Sequence, residues 1–150
     1  MEESIGEFFN LKTNSPYMLL VAPVNKEKQY PLPEGYDNYE MYQRLYHLRS
    51  EIPAVTHVDY SARIQSVNKN TNNKYWTLIN SFKNKSGCPL IVNTSFNVRG
   101  EPIVCTPEDA YKCFMRTEMD WLVMGNLVFD KKCQPEWNEK KDWRLEYELD

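Results

Sequence analysis

The sequence predicts an α/β fold: a twisted, open, mixed β-sheet flanked by helices. Short apolar runs rich in β-branched residues alternate along the chain with segments whose large apolar residues recur at helical spacing. The chain has 150 residues, 41% hydrophobic and 13% aromatic, which suffices for one core but not for two full domains. We therefore expect one domain at residues 1–131 and a polar surface tail at residues 132–150.

In the first half of the chain, helical and strand patterns follow one another. Residues 2–9 are typical of a short helix, and the apolar run at 17–22 is a strand candidate. Large residues at helical spacing predict a helix at 38–49 that lays one face on the sheet. β-branched residues predict successive strands, or one bent strand, at 54–59 and 62–67.

In the second half, capping residues mark two helix starts. Asn72 is a candidate cap for a helix that ends at Gly87, where a left-handed terminating residue is favoured. Thr106 is a candidate cap for the next helix, because Pro107 fits the first helical position and acidic residues follow. Strands are predicted at 88–92 and at 121–129, the second being a closing strand interrupted by Gly125 and Asn126.

The decamer at residues 93–102, Asn-Thr-Ser-Phe-Asn-Val-Arg-Gly-Glu-Pro, is the most informative stretch. It brings amide, hydroxyl and guanidinium groups into a loop directly after the strand predicted at 88–92. Because ligands of open α/β sheets bind at the carboxyl ends of strands, we expect this to be a binding loop. The alternative is a plain connection in which Asn and Ser side chains satisfy their own backbone.

Charge and composition argue against several functional classes. The net charge of -3 and the pI near 5.5 count against a protein that mainly holds a nucleic-acid backbone. No apolar run approaches the length that crosses a bilayer and the sequence shows no signal-peptide layout, so we expect a cytoplasmic protein. The four cysteines form no C-x-x-C pair, so we expect small buried apolar residues rather than a metal site.

Three motifs resemble those of a known family. They are Ser15-Pro16-Tyr17-Met18-Leu19; the run at 52–59, Ile-Pro-Ala-Val-Thr-His-Val-Asp, continued by Ala62-Arg63-Ile64-Gln65; and the run at 93–104 followed by Thr106-Pro107-Glu108-Asp109-Ala110. In this order they resemble the carboxy-terminal domain of the O-carbamoyltransferases of the nodulation and antibiotic-tailoring type. The resemblance covers residues 5–130.

The resemblance implies a YrdC-like α/β domain that binds ATP, as its Mg salt, together with carbamoyl phosphate, and that forms a carbamoyl-adenylate. It also implies a separate amino-terminal domain of the actin-like ATPase fold, which passes the carbamoyl group to a hydroxyl of the acceptor. By the same resemblance, Arg63 matches a phosphate-contacting arginine, and Asn93 and Ser95 match polar positions of a nucleotide-phosphate loop. The resemblance carries over Asn97, Arg99 and Gly100 only as loop-shaping or binding residues.

The chemistry of these residues agrees with that implication. Arg63 offers a planar fork for an anion, Thr94 and Ser95 offer hydroxyl donors, and Asn93 both donates and accepts. We expect the groups of Arg63, Asn93 and Ser95 to converge on one anion-sized pocket. The alternative for Arg63 is an ion pair with Glu101 or another carboxylate.

His57 and Asp59 are a second candidate pair. They form an acid–base pair or a structural hydrogen bond, and the sequence leaves both open because strand residues two positions apart only share a face.

The sequence departs from the family pattern at its beginning. The family's domain starts with a segment containing Lys-x-Arg-Glu and Arg-Pro-Phe-Ala-Pro, and this chain starts just after that point, so we expect an amino-terminally truncated domain. Three functions remain open: the nucleotide-binding portion of a carbamoyltransferase that needs the missing part for turnover, a non-catalytic module that binds a partner protein, and RNA binding. The acidic balance counts against the third.

Overall fold

The computed structural model describes residues 1–139, 142 and 143, and the chain clusters into two compact units, Met1–Val92 and Asn93–Asp150. The architecture mixes helices with small antiparallel sheets. Among the described residues, the strands form two separate two-stranded sheets, one in each unit, in place of the single open mixed sheet that the sequence predicts. None of the described helices is long and apolar enough to cross a membrane.

The first unit is built around α1 (Ile5–Phe8), which follows a 3-10 turn, and an antiparallel pair of strands, β1 (Leu20–Pro23) and β2 (Ser61–Ile64). One face of this sheet packs against α1 because side chains alternate along each strand. The resulting core cluster contains Ile5, Phe8, Phe9, Ala22, Val24, Ala62 and Ile64.

Two strands of the first unit are shorter than the sequence predicts, and one is wrong. The run at 17–22 becomes a strand only from Leu20, because Met18 has a φ of 55°, which a strand does not tolerate. The run at 54–59 contains a 3-10 turn at Pro53–Val55 instead of a strand, since Pro53 occupies the first helical position. The run at 62–67 pairs only as far as Ile64.

The helix predicted at 38–49 is short and does not lie on the sheet. The observed helix, α2, spans Met41–Tyr46 and buries none of its residues. Arg49, which is 4% exposed, fastens this segment by donating to the carbonyls of Arg44, Leu45 and His47. Arg49 also donates to the Tyr36 hydroxyl at 2.8 Å. Polar contacts therefore hold α2 in place, and its apolar side chains face solvent.

The helix predicted after Asn72 is confirmed as α3 (Asn73–Ser86). The Asn72 side chain accepts from the backbone N–H of Tyr75, and Gly87 ends the helix at a φ of 78°. Left-handed backbone of this kind strongly favours glycine, which explains the stop. The helix packs through Ile79 into a second core cluster with Met1 and Val67.

The strand predicted at 88–92 does not form. Pro89 is fully buried and has no N–H to contribute to a sheet ladder, so this position suits an interior strand poorly. Leu90 packs against the first core cluster and Ile91 against the second. The carbonyl of Pro89 accepts from the amino terminus of Met1 at 3.2 Å.

The second unit consists of α4 (Pro107–Arg116) and a β-hairpin. The single closing strand predicted at 121–129 is two strands, β3 (Trp121–Met124) and β4 (Leu127–Asp130), paired antiparallel. The predicted interruption is the turn, where Gly125 has a φ of 61°. Ala110 and Phe114 of α4 and Leu122 of β3 form the core.

The segment expected to be a surface tail contacts α4 in its described part. The Trp137 ring stands edge-on to Tyr111 at 6.2 Å, and Glu139 accepts from the guanidinium of Arg116 at 2.9 Å. Residues 140–141 and 144–150 lie outside the described residues.

Candidate functional site

Arg63 lies on the open face of the β1–β2 sheet. Its strand neighbours Ala62 and Ile64 are 0% and 3% exposed and belong to the core, so the alternation of the strand directs Arg63 to the opposite side. Its partner across the ladder is Val21, which is 57% exposed. Within the described residues the Arg63 guanidinium makes no hydrogen bond and no ion pair. The ion-pair alternative is therefore not seen among them.

The turn that leads into β2 joins His57 to Asp59 indirectly. His57 Nδ1 lies 2.8 Å from the Ser61 hydroxyl oxygen, and that hydroxyl donates to Asp59 Oδ1 at 2.7 Å. His57 and Asp59 lie in a turn and not in a strand, because Tyr60 has a φ of 63° and its N–H donates to the His57 carbonyl. Sequence reasoning missed Ser61 as the connecting group.

The loop in the second unit contains a tight turn centred on Arg99 and Gly100. The Glu101 N–H donates to the Val98 carbonyl at 3.0 Å, and Gly100 has a φ of 83°, which only glycine adopts without strain. The Asn97 side-chain amide donates to the carbonyls of Val98 and Glu101. Asn97 and Gly100 therefore shape the loop, and Arg99 projects from its tip as an exposed side chain.

Thr94, Ser95 and Arg99 are the exposed donors of this loop. None of their side chains makes a hydrogen bond or ion pair with the described part of the chain, whereas Asn93 does have an interaction. Hydroxyl and guanidinium donors without internal partners remain available for an acceptor outside the protein. Asn97 bonds to the backbone of its own loop, as in the plain-connection alternative, and these three side chains make no such hydrogen bond within the described residues.

Glu101 fixes the turn to the helix beneath it. One carboxylate oxygen accepts from the Val98 N–H at 3.1 Å, and the carboxylate is also hydrogen-bonded to the Cys113 side chain on α4. Burial, and then this hydrogen bond, raise the pKa of the Cys113 thiol to about 11. A thiol with this pKa is protonated at neutral pH, so Cys113 has a structural role and not a nucleophilic one.

The other end of the loop is fixed by the start of α4. Thr106 Oγ1 accepts from the Asp109 N–H, and Asp109 Oδ2 accepts from the N–H groups of Thr106 and Cys105. The predicted helix start is confirmed, with the two side chains forming a reciprocal cap. The hydrogen bond with the Thr106 side chain has the largest effect in lowering the pKa of the Asp109 carboxyl. The hydrogen bonds from the backbone N–H groups of Thr106 and Cys105 lower it further. Asp109 thus serves the helix and not the chemistry.

The cysteines are only partly as expected. Cys113 is buried and Cys88 half-buried, but Cys105 and Cys133 are exposed, and all four are free thiols. Across residues 1–139, 142 and 143, no group of three or more His, Cys, Asp or Glu side chains is placed to hold a metal ion.

Comparisons with known proteins give a consistent result. The family described as "Carbamoyltransferase C-terminus" matches residues 1–131. An uncharacterized protein of Synechocystis sp. is 51% identical over the whole chain, which covers 24% of that protein. The nodulation protein NolNO of Sinorhizobium fredii is 37% identical over 135 residues, covering 88% of this chain and 17% of that protein.

A third relative has an activity in its name. The 3'-hydroxymethylcephem-O-carbamoyltransferase of Amycolatopsis lactamdurans is 38% identical over 96 residues, which cover 63% of this chain and 18% of that enzyme. The chain thus spans about a quarter or less of the length of these relatives.

Proposed function

The chain belongs to the carbamoyltransferase C-terminus family, and on that premise we propose that it is the portion of a carbamoyltransferase that binds ATP and carbamoyl phosphate. In this proposal a YrdC-like domain forms or holds a carbamoyl-adenylate, and a separate domain transfers the carbamoyl group to a hydroxyl acceptor. In the first unit, Arg63 is the proposed phosphate-binding residue. In the second unit, taken by itself, the proposed nucleotide- or phosphate-binding residues are Asn93, Thr94, Ser95 and Arg99.

The observation that supports this proposal best is the exposed guanidinium of Arg63. Phosphoryl transfer spreads negative charge over oxygens, so catalysis depends on positioning and on cationic or N–H donors around them. The backbone at Arg63 is fixed, because its neighbours Ala62 and Ile64 belong to the core, and the Arg63 donors have no partner within the described residues. A planar fork of this kind matches a phosphate better than a point charge does.

The loop of the second unit supplies donors of a different type. Ser95 and Thr94 present hydroxyls, and Arg99 presents a guanidinium from a turn that Asn97 and Glu101 hold in shape. Because the backbone that carries these side chains is fixed before the ligand arrives, binding costs less conformational freedom than binding to a mobile loop does. This arrangement supports a role in holding nucleotide or carbamoyl-phosphate oxygens.

The lengths of the relatives support a second, larger component. In the Synechocystis relative about three quarters of the protein lies outside the region that matches this chain. We propose that turnover needs such additional polypeptide, an amino-terminal domain of the actin-like ATPase fold, in the same chain or as a partner. The exposed apolar residues of α2 support a docking role: Met41, Tyr42, Leu45 and Tyr46, which are 57–78% exposed.

Calorimetric titration with a non-hydrolysable ATP analogue tests the binding role. We expect the chain to bind the analogue, and Arg63→Ala and Ser95→Ala each to weaken binding, the first by about tenfold, as for loss of a charged hydrogen bond. Lys74→Ala, which removes an exposed positive charge from α3, is the matched control and should leave the affinity unchanged. Wild-type affinity in both the Arg63 and Ser95 variants contradicts the proposal.

The alternative is a non-catalytic module that keeps the fold and binds a partner protein. The exposed apolar side of α2 is the observation that favours it. Failure of the wild-type chain to bind either ATP or carbamoyl phosphate, together with stable association with the rest of a family member, would support this alternative.

A further inference from the structure

The turn before β2 holds His57, Asp59 and Ser61 in one chain of hydrogen bonds that the proposed function does not use. His57 Nδ1 contacts the Ser61 hydroxyl at 2.8 Å, and Ser61 donates to Asp59 Oδ1 from its hydroxyl at 2.7 Å and from its N–H at 3.0 Å. The hydrogen bonds from Ser61, and to a lesser extent nearby His57, lower the pKa of the Asp59 carboxyl. Asp59 is therefore an ionised acceptor at neutral pH.

These contacts determine which nitrogen of His57 is left for a ligand. A serine hydroxyl has a single hydrogen, and Ser61 gives it to Asp59, so Ser61 accepts from the Nδ1–H of His57. The free nitrogen is consequently Nε2, which makes no hydrogen bond within the described residues of this exposed histidine. Nε2 accepts a hydrogen bond when the ring is neutral and donates one when it is charged.

The strand places Ser61, the hydrogen-bond partner of this histidine, on the same face as Arg63. Ser61 and Arg63 are two positions apart in β2, so their side chains lie on one face, about 7 Å apart along the strand. The imidazole of His57 contacts the Ser61 side chain, which lies on that face. The face is open beside Arg63, because Val21 across the ladder is more than half exposed.

The backbone of the turn is held in an unfavourable conformation that makes this arrangement possible. Tyr60 adopts left-handed backbone at a φ of 63°, which is rare for a bulky residue. Three hydrogen bonds hold it there. Its N–H donates to the His57 carbonyl at 3.0 Å, its carbonyl accepts from the Val24 N–H at 2.9 Å, and its hydroxyl donates to the Tyr30 carbonyl at 2.9 Å. The surrounding fold thus stabilises a turn that brings His57 and Asp59 to either side of the Ser61 hydroxyl.

We propose that His57 binds a phosphoryl group through Nε2 beside Arg63, and that Asp59 and Ser61 are positioning residues for its ring. This inference rests on the proposed function of Arg63 and adds a second donor to it. A phosphoryl group has several anionic oxygens, so the Arg63 guanidinium and the Nε2–H of a charged His57 ring bind different ones. The group belongs either to ATP or to carbamoyl phosphate.

Binding titrations with two ligands test this role and distinguish the two sources. One arm uses a non-hydrolysable ATP analogue, and the other uses phosphonoacetamide, a stable analogue of carbamoyl phosphate. His57→Phe keeps a ring but removes both nitrogens, and we expect it to weaken binding of one ligand by about tenfold. His47→Gln, which removes the other histidine of the chain, is the control and should bind normally.

Variants of Asp59 provide a second test of the proposal. Asp59→Ala removes the acceptor of the Ser61 hydroxyl and should weaken the same ligand, whereas Asp59→Asn keeps an acceptor oxygen and should restore most of the affinity. Thermal unfolding of each variant identifies any loss that comes from instability.

Nitrogen-15 NMR gives a readout that a purely structural histidine would not change. With only two histidines, the ring signals are assigned by comparison with the His47 variant. We expect the neutral Nδ1–H tautomer of His57 in the free chain and, when ligand is added, a shift of the His57 Nε2 signal toward that of a protonated nitrogen.

The outcomes separate this inference from the proposed function. If Arg63→Ala weakens binding while His57→Phe binds normally and Nε2 does not shift, the histidine assignment is wrong and the proposed function stands. If the wild-type chain binds neither ligand, or if Arg63→Ala and Ser95→Ala both bind with wild-type affinity, the proposed function fails and the histidine assignment fails with it.

Discussion

Thr106 and Asp109 cap each other at the start of α4. The Asp109 N–H donates to Thr106 Oγ1 at 3.1 Å, and the Thr106 N–H donates to Asp109 Oδ2 at 3.0 Å. This reciprocal pair satisfies two backbone donors that no helical carbonyl reaches, and it fixes the end of the loop that contains Ser95 and Arg99.

Loss of the cap should destabilise the chain measurably. We expect Thr106→Ala to lower the free energy of unfolding by about 1 kcal/mol, because the Asp109 N–H loses its acceptor. Glu108→Gln changes an exposed neighbour that makes no capping bond and should stay within about 0.5 kcal/mol of the wild type. Urea unfolding measures both, and equal stabilities of the two variants would contradict the role given to the cap.

The same cap predicts a dependence of stability on pH. Hydrogen bonds from Thr106 lower the pKa of Asp109 below its ordinary value of 3.8. A carboxyl whose folded pKa is lowered stabilises the fold above its unfolded pKa, and this contribution is lost as the pH falls through the folded pKa. Asp109→Asn removes the titration. The free energy of unfolding of the Asp109→Asn variant should therefore fall less than that of the wild type as the pH is lowered from about 5 to about 2. Parallel curves for the two proteins would show that Asp109 does not contribute.

Cys113 should resist alkylation while other cysteines react. Its pKa is raised to about 11, so at pH 8 roughly one molecule in a thousand has the thiolate, and the side chain is buried as well. Cys105 and Cys133 are exposed and serve as internal controls. Mass spectrometry after brief iodoacetamide treatment should find label on both of these and almost none on Cys113. Labelling of Cys113 at the rate of Cys105 would mean that the contact with Glu101 is not maintained in solution.

The exposed side of α2 should matter for association and not for folding. Leu45 is 57% exposed, so Leu45→Glu should change the free energy of unfolding by no more than about 0.5 kcal/mol. We expect it to weaken, by at least about tenfold, binding to the part of the Synechocystis relative that lies outside the matched region, since a charge would be buried at the contact. Biolayer interferometry measures this affinity.

Leu78→Glu provides the matched control for that measurement. Leu78 is 58% exposed and lies on α3 of the same unit. If both variants bind as well as the wild type, α2 is not the docking surface. If both lose binding equally, the effect is one of added charge rather than of a particular contact.

Helix termini were predictable because their signals are local. Asn72, Gly87 and Thr106 act through hydrogen bonds or backbone angles within a few residues of their own positions, and each has the predicted role. The strands at 54–59 and 88–92 were not predictable in this way. A strand exists only when a distant segment pairs with it, and proline at positions 53 and 89 opposes pairing where the apolar pattern favours it.

The same distinction between local and long-range interactions applies to the candidate site. The motif that contains Arg63 could be recognised from residue order, but its exposure depends on the ladder with Val21, about forty residues earlier in the chain. Similarly, the sequence offered His57 and Asp59 as a pair, and the hydroxyl of Ser61 that joins them became evident only from the folded turn.

By itself, the sequence determined the family, through the order of its motifs, and the places where α3 and α4 begin, through their capping side chains. Tertiary structure alone decided that the sheets are small and antiparallel, that α2 leaves its apolar residues in solvent, and that Nε2 of His57 makes no hydrogen bond within the described residues. The physical reason is the range of the interactions involved. Capping acts over three residues, whereas strand pairing, burial and the sharing of a single hydroxyl proton depend on residues that only folding brings together.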